Sequence, residues 1–143
     1  MRRPKAENVS VKRGRWGEEV AVEYLRRGGF EIIERNVTPV KRDERLEIDI
    51  IAKERKTGTL VFVEVKQHGE MSRYARRLQS VNSKKKKNLR MACNAWRRMC
   101  RYVGAYRFDV IEIFGTPEGG LPIIDHIERV NLFCTQERFV KWS

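Results

Sequence analysis

The sequence predicts an α/β fold, a mixed β-sheet flanked by helices in the order helix, strand, strand, strand, helix, strand. Three observations predict it. Apolar residues recur at helical spacing in 14–28 and again from about residue 82 to 103, whereas short apolar or alternating runs occupy 30–36, 46–53, 60–67 and 105–114. The strand-like runs are separated by polar stretches rich in turn residues. The chain has 143 residues, 41% of them hydrophobic, which suits one compact domain with a core of its own. Helices packed on a mixed sheet are the simplest architecture for that order.

Residues 1–13 carry five basic side chains and little apolar material, and read as a basic arm ahead of one domain spanning 14–143. In GRWGEEVAVEYLRRG, Trp16, Val20, Ala21, Tyr24 and Leu25 repeat at helical spacing, and Gly28-Gly29 is a strong helix stop. FEIIERN fits a first strand, TPVKRDER a loop, LEIDIIAK a second strand, ERKTGT a turn and LVFVEVKQ a third strand; the last three together read as a hairpin. Residues 67–80 show no clean period. The second helix begins near Asn82, carries the apolar stripe Leu89, Ala92, Cys93, Trp96, Met99, Cys100 and Val103, and is expected to end at Gly104. AYRFDVIEIF alternates as a fourth strand. LPIIDHIE is a further candidate strand that Pro122 weakens, and the apolar tail from residue 129 has no assignable structure.

The net charge of +12 points to an anionic partner, nucleic acid ahead of a membrane surface. No apolar run approaches the ~20 residues of a membrane helix, and the basic N-terminus lacks the apolar segment of a secretory signal. Cys93, Cys100 and Cys134 contain no CxxC pair, which argues against a zinc site or disulfide framework and makes a reducing cytoplasm the natural setting. The basic charge is concentrated. From Met71 to Phe108 there are 12 Lys or Arg and no acid, with Lys84 to Lys87 consecutive, so a helix could pack through one face and meet phosphates with the other. Lys84, Lys86, Arg90, Arg97 and Arg101 are the candidate nucleic-acid contacts. Such contacts carry no base preference. A plainly solvated helix face is the competing reading, but it leaves the missing acids unexplained.

The chemistry is concentrated in EIDIIA (47–52) and VFVEVK (61–66). Side chains alternate along a strand, so Glu47 and Asp49 share one face, as do Glu64 and Lys66. If strands two and three are neighbours, Asp49 and Glu64 meet. Two adjacent carboxylates repel unless a proton or a cation intervenes. Mg²⁺ takes hard oxygen ligands and keeps some water, so two carboxylates, a carbonyl such as that of Val65, waters and a phosphate oxygen would complete its shell. Lys66 could orient water or meet developing charge. A solvated strand face with alternating charges is the alternative.

GRWGEEVAVEYLRRGGFEIIERN (14–36), EIDIIA, FVEVK (62–66) and RFDV (107–110) resemble, in order and spacing, the signature segments of the YraN-like bacterial family, over roughly residues 14–114. That family is related to archaeal Holliday-junction resolvases and restriction-type endonucleases. The resemblance implies a restriction-endonuclease-like core and a PD-(D/E)xK site that cuts phosphodiesters in structured or branched DNA with Mg²⁺, for which Mn²⁺ can substitute. It makes Asp49 the metal-binding aspartate, Glu64 and Lys66 the (D/E)xK pair, Glu18 the helix acid that reaches the metal, Glu47 the acid two positions before the aspartate, and Lys84 the helix-start lysine that could reach the site. The sequence departs from the family at Leu46, where glycine is usual, and at Gln67 and His68, where a small polar residue and Arg are usual; His68 is either a phosphate contact or a loop histidine. Asp109 is expected to pair with Arg107 or with a residue of the arm. DNA is the expected partner, RNA the alternative, and a twofold homodimer would suit a four-way junction. A non-catalytic nucleic-acid-binding accessory protein is the rival to the enzyme.

Overall fold

The computed structural model describes residues 9–40, 46–69 and 83–133. Its elements are α1 (Val9–Arg27), β1 (Phe30–Val37), β2 (Ile48–Glu54), β3 (Leu60–His68), α2 (Ser83–Met99), β4 (Tyr106–Phe114) and β5 (Ile123–Ile127). The five strands form one mixed sheet in the spatial order β1-β2-β3-β4-β5, antiparallel throughout except for the parallel β3–β4 pair. Parallel neighbours need a crossover, and α2 lies within it. Helices on both faces of this sheet give the restriction-endonuclease-like core. Among the described residues, no helix is long and apolar enough to cross a membrane.

The helices cover opposite faces. Ala21, Val22 and Leu25 of α1 pack on Ile50, Ala52, Val61, Val63, Ile111 and Ile113. Leu89, Ala92, Cys93 and Trp96 of α2 pack on Ile51, Leu60, Phe62, Phe108 and Val110. With both faces covered, β3 is buried from Leu60 to Glu64 and β4 from Arg107 to Phe114, and most of the side chains in those stretches are apolar. The few acids within them therefore stand out.

α1 starts at Val9, so residues 9–13 belong to the helix and not to a loose arm; residues 1–8 lie outside the described residues. Its end is as expected. Gly28 and Gly29 donate to the carbonyls of Tyr24 and Arg26, and Gly29 adopts the left-handed φ of 87°. The end of α2 is different. The helix stops at Met99, where Arg101 takes φ 51° and donates to the Arg98 carbonyl while Tyr102 donates to that of Arg97, a Schellman closure made without glycine. The apolar stripe therefore ends at Trp96, and Met99, Cys100 and Val103 are exposed. Gly104 does not stop the helix. A Cβ there would sit 2.6 Å from the Tyr102 hydroxyl, so glycine makes room for that ring.

The β2–β3 turn fixes the register that matters most. Glu54 donates its N–H to the Thr59 carbonyl, Gly58 (φ 75°) donates to that of Glu54, and the Thr57 hydroxyl donates to the Glu54 carboxylate. Ile50 then pairs with Val63 and Ile51 with Phe62. β5 forms as a short edge strand on β4, with Pro122 just before its first residue. Beyond it, Val130 donates to the Phe108 carbonyl and Leu132 is buried against α2, so the first part of the tail joins the core; residues 134–143 lie outside the described residues, as do 41–45 and 70–82.

Candidate metal and phosphodiester site

One step past the Ile50–Val63 pair, Asp49 faces Glu64. The Val65 N–H donates to Asp49 Oδ2 at 2.8 Å, clamping β2 to β3 beyond the last regular pair. Glu64 is buried, and two ammonium groups share its Oε1: Lys66 at 3.0 Å and Lys85 at 2.8 Å. A cavity of about 220 Å³ opens here, lined by Glu47, Asp49, Glu64, Lys85 and Leu89. Asp49, Glu64 and Lys66 thus converge as the strand alternation implies, and Glu47 stands at the rim.

Glu18 reaches the cluster from α1. The Asn36 amide nitrogen, in the orientation that satisfies its neighbours, donates to Glu18 Oε1 (2.8 Å) and Oε2 (3.2 Å) and to Glu47 Oε1 (3.2 Å). Asn36 does this from a left-handed conformation at φ 50°, which Asn tolerates better than most residues. Gly17 allows the close approach of α1: a Cβ there would be 3.1 Å from that of Gln67. Gln67 in turn donates to the Gly115 carbonyl at 2.6 Å and fastens the ends of β3 and β4.

The electrostatics show crowded acid. Burial pushes Asp49 up to about 8, with Glu64 adding to the rise, the Val65 N–H opposing it, and Glu18 and Glu47 contributing further. Burial also raises Glu18; Arg35 pulls against it, and Glu47 and Glu19 reinforce it. Burial lowers Lys66 below the ordinary lysine value although Glu64 works the other way. Burial pulls Lys85 down, but Glu64, with Lys66 and Asp49 adding to it, carries it above its ordinary value. Hard oxygen donors in mutual repulsion fit a divalent cation, which would relieve that repulsion. Asp49 and Glu64 are the donors best placed for it, with Glu47 and Glu18 beside them.

The basic residues separate into roles. Lys85, not Lys84, reaches the site; Lys84 is exposed. Lys85 lies four residues before Leu89 and so continues the buried stripe of α2 inward, a signal readable in the sequence. Arg90 donates to the Leu132 carbonyl at 2.9 Å and Arg97 lies 3.6 Å over the Tyr106 ring, so these two flank the apolar stripe and do not stand opposite it. Lys86 is half-buried, and Arg101 is exposed beyond the helix end. His68 is neither a loop residue nor a free phosphate contact: it ends β3, lies 3.2 Å from the buried Glu112 and stacks on Phe114.

A second group lies on the other face of the sheet. Asp109, His126 and Glu128 offer ligand atoms within 4.8 Å of one another and could in principle coordinate a divalent metal. A cation is already there. Arg107 Nε lies 3.1 Å from Asp109 Oδ1, and its Nη2 lies 3.6 Å from Glu128 and 3.4 Å from Glu54. Asp109 also takes the Arg129 N–H at 3.0 Å and His126 Nε2 at 2.7 Å, while His126 Nδ1 meets the Tyr24 hydroxyl at 3.1 Å. This network ties α1, β4 and β5 together.

The family model described as "Uncharacterised protein family UPF0102" matches residues 17–113, which contain the whole carboxylate cluster. The chain is 40% identical over 103 residues to a UPF0102 protein of Caldicellulosiruptor bescii, covering 71% of this chain and 81% of that one. It is 40% identical over 115 residues to one of Geobacter metallireducens, covering 80% and 87%. It is 36% identical over 123 residues to one of Rhodococcus opacus, covering 85% and 96%.

Proposed function

The chain belongs to the uncharacterised protein family UPF0102, and from that premise we propose that it is a metal-dependent endonuclease that hydrolyses phosphodiesters in structured or branched DNA. The observation that carries this reading is the convergence of Asp49 and Glu64 at one cavity, with Lys66 paired to Glu64 and the Val65 N–H holding Asp49 in place.

Asp49 and Glu64 would hold Mg²⁺ or Mn²⁺, with Glu18 and Glu47 beside them. Bound there, the ion supplies a Lewis acid for a phosphoryl oxygen and lowers the pKa of water. The chain's own residues do the rest. The Val65 N–H fixes the Asp49 carboxylate, so little reorganisation is needed when charge develops. Lys66, depressed by burial, is suited to hold the attacking water and to neutralise charge on the phosphoryl oxygens. The water oxygen bonds to phosphorus, the bond from phosphorus to the leaving sugar oxygen breaks, and the water's proton passes to solvent while the leaving oxygen gains one from solvent. Lys85, which is charged and shares Glu64 with Lys66, is placed to meet the phosphate as it enters.

One observation favours a second reading, a nucleic-acid-binding accessory protein that does not cut. Two ammonium groups on Glu64 already balance much of the acid without a metal. A cleavage screen over branched, duplex and single-stranded substrates with Mn²⁺, using the Asp49→Asn protein as blank, separates the two. Cutting that the blank lacks supports the enzyme. Tight, salt-sensitive binding of branched DNA with no cutting supports the accessory protein.

A further inference from the structure

At the far end of α2 from the carboxylate cluster is a cavity of about 520 Å³ lined by Asn94, Arg97, Arg98, Arg101, Tyr102, Val103, Tyr106 and Phe133. We infer that it receives one unpaired nucleotide of the nucleic-acid strand engaged at the carboxylate cluster, the aromatic wall taking the base and the arginines its phosphate. The inference rests on the nucleic-acid reading above and names the feature of the substrate that reading leaves open.

Three observations carry it. The first is composition: among the described residues, three guanidinium groups and no carboxylate line the cavity, and Arg98 and Arg101 have no acidic partner. Three cations outweigh the partial negative charge of the helix C-terminus beneath them. The second is the aromatic wall. Tyr106 and Phe133 meet edge to face with centroids 4.8 Å apart, and Arg97 lies over Tyr106. The Tyr102 hydroxyl is bound to the Ala105 carbonyl at 2.6 Å, which holds its ring across the cavity. Aromatic rings beside arginines receive single-stranded bases without sequence preference. The third is an unused donor: Arg97 Nε is buried with no acceptor among the described residues, although its Nη1 reaches Asn94.

Position gives the substrate its geometry. Tyr106 pairs with Leu60, four strand residues before the level of Glu64, about 13 Å away. Lys85 and Arg97 are separated by about 18 Å of helix. Both ends lie on the face of the sheet that α2 covers. That span equals about four or five stacked nucleotide steps, so the unpaired nucleotide is expected at about that distance along the strand from the phosphodiester at the cluster.

The test is fluorescence anisotropy in EDTA with the intact protein, so cutting plays no part. The probes are a blunt duplex, the same duplex with a five-nucleotide single-stranded tail, and a free nucleoside monophosphate as competitor. The expected result is at least about fivefold tighter binding of the tailed duplex. Arg98→Gln, at an exposed position, should remove most of that gain while leaving most blunt-duplex affinity. Tyr106→Leu should reduce the gain equally for purine and pyrimidine tails. Equal affinity for blunt and tailed duplex overturns the inference, as does a tail gain undiminished by Arg98→Gln, or an equal loss on both duplexes. Competition by the monophosphate without any tail gain would assign the cavity to a free nucleotide and also overturn it. A protein that shows the gain but cuts nothing contradicts the proposed enzyme alone.

Discussion

The Val65 N–H donates to Asp49 Oδ2 at 2.8 Å, so the backbone of one strand fixes a half-buried carboxylate of its neighbour directly beside Glu64. That bond opposes, but does not overcome, the burial and like charge that raise Asp49 to about 8. A carboxylate whose folded pKa lies above its unfolded value destabilises the fold at neutral pH, and stability returns as pH falls from about 8 toward the ordinary carboxylate range.

The consequence for Asp49→Asn is a metal-free protein more stable than the wild type. The amide keeps an oxygen to accept the Val65 N–H and removes the charge. Thermal unfolding in EDTA at pH 8 should show a rise of about 4 °C in Tm. Adding Mg²⁺ should raise the wild-type Tm and leave that of the variant nearly unchanged. A lower Tm for the variant in EDTA would mean that the Asp49 charge is compensated in the free protein.

Lys66 and Glu64 separate function from metal. Lys66→Ala should retain Mg²⁺ and DNA affinity, because its ammonium contacts Glu64 and is not a metal donor. Glu64→Gln should lose metal affinity by at least about tenfold, an amide being a poorer ligand for a hard cation. Calorimetric Mn²⁺ titration of both variants is the check. Equal loss in the two would remove the distinction drawn here.

Charge reversal on α2 should depend on position. Lys84→Glu with Lys86→Glu should weaken binding to all DNA sequences alike and reduce the salt slope by about one unit per lost contact. Arg90→Glu should instead lower Tm, because Arg90 holds the Leu132 carbonyl and with it the tail against α2. Salt-dependent anisotropy together with thermal melts distinguishes them. Unchanged binding after the lysine pair is reversed would place the phosphate surface elsewhere.

Acid sensitivity should come from Asp109. Burial alone would raise its pKa, but His126, Arg107 and the Arg129 N–H together hold it below the ordinary value. Its contribution is therefore present above the unfolded value of about 3.9 and is lost as pH falls through the lower folded value. Asp109→Asn should cost about 3 kcal/mol at pH 7, since the buried Arg107 loses the nearest of its carboxylates and keeps only the longer contacts to Glu54 and Glu128, and the variant should show a shallower loss of stability below pH 4. Urea unfolding at pH 7 and pH 3 measures both. An unchanged acid profile would move the sensitivity to another group.

The site was readable where strand geometry decides it. Period-two alternation and a hairpin turn suffice to bring Asp49 and Glu64 together, and both follow from residues 47–66 alone. Among four consecutive lysines only helical phase singles out Lys85, and the sequence carries that phase in its spacing of four residues before Leu89 of the apolar stripe. Asn36 was missed because its role depends on a left-handed backbone at the end of β1. The α2 terminus misled for a similar reason: Arg101 closes the helix in a conformation usually given to glycine, so the apolar spacing at Met99, Cys100 and Val103 continues in the sequence after the helix has ended. Gln67 depends on the distant Gly17 and Gly115, a relationship that only the folded chain reveals.

The most direct measurement is single-turnover cleavage of a labelled branched DNA with Mn²⁺, run side by side for the wild type, Asp49→Asn and Lys66→Ala. The account predicts cutting by the wild type, none detectable with Asp49→Asn, and a rate for Lys66→Ala lower by roughly a hundredfold to a thousandfold with binding retained. Cutting by Asp49→Asn at the wild-type rate, or no cutting by the wild type on any branched substrate it binds, would contradict it.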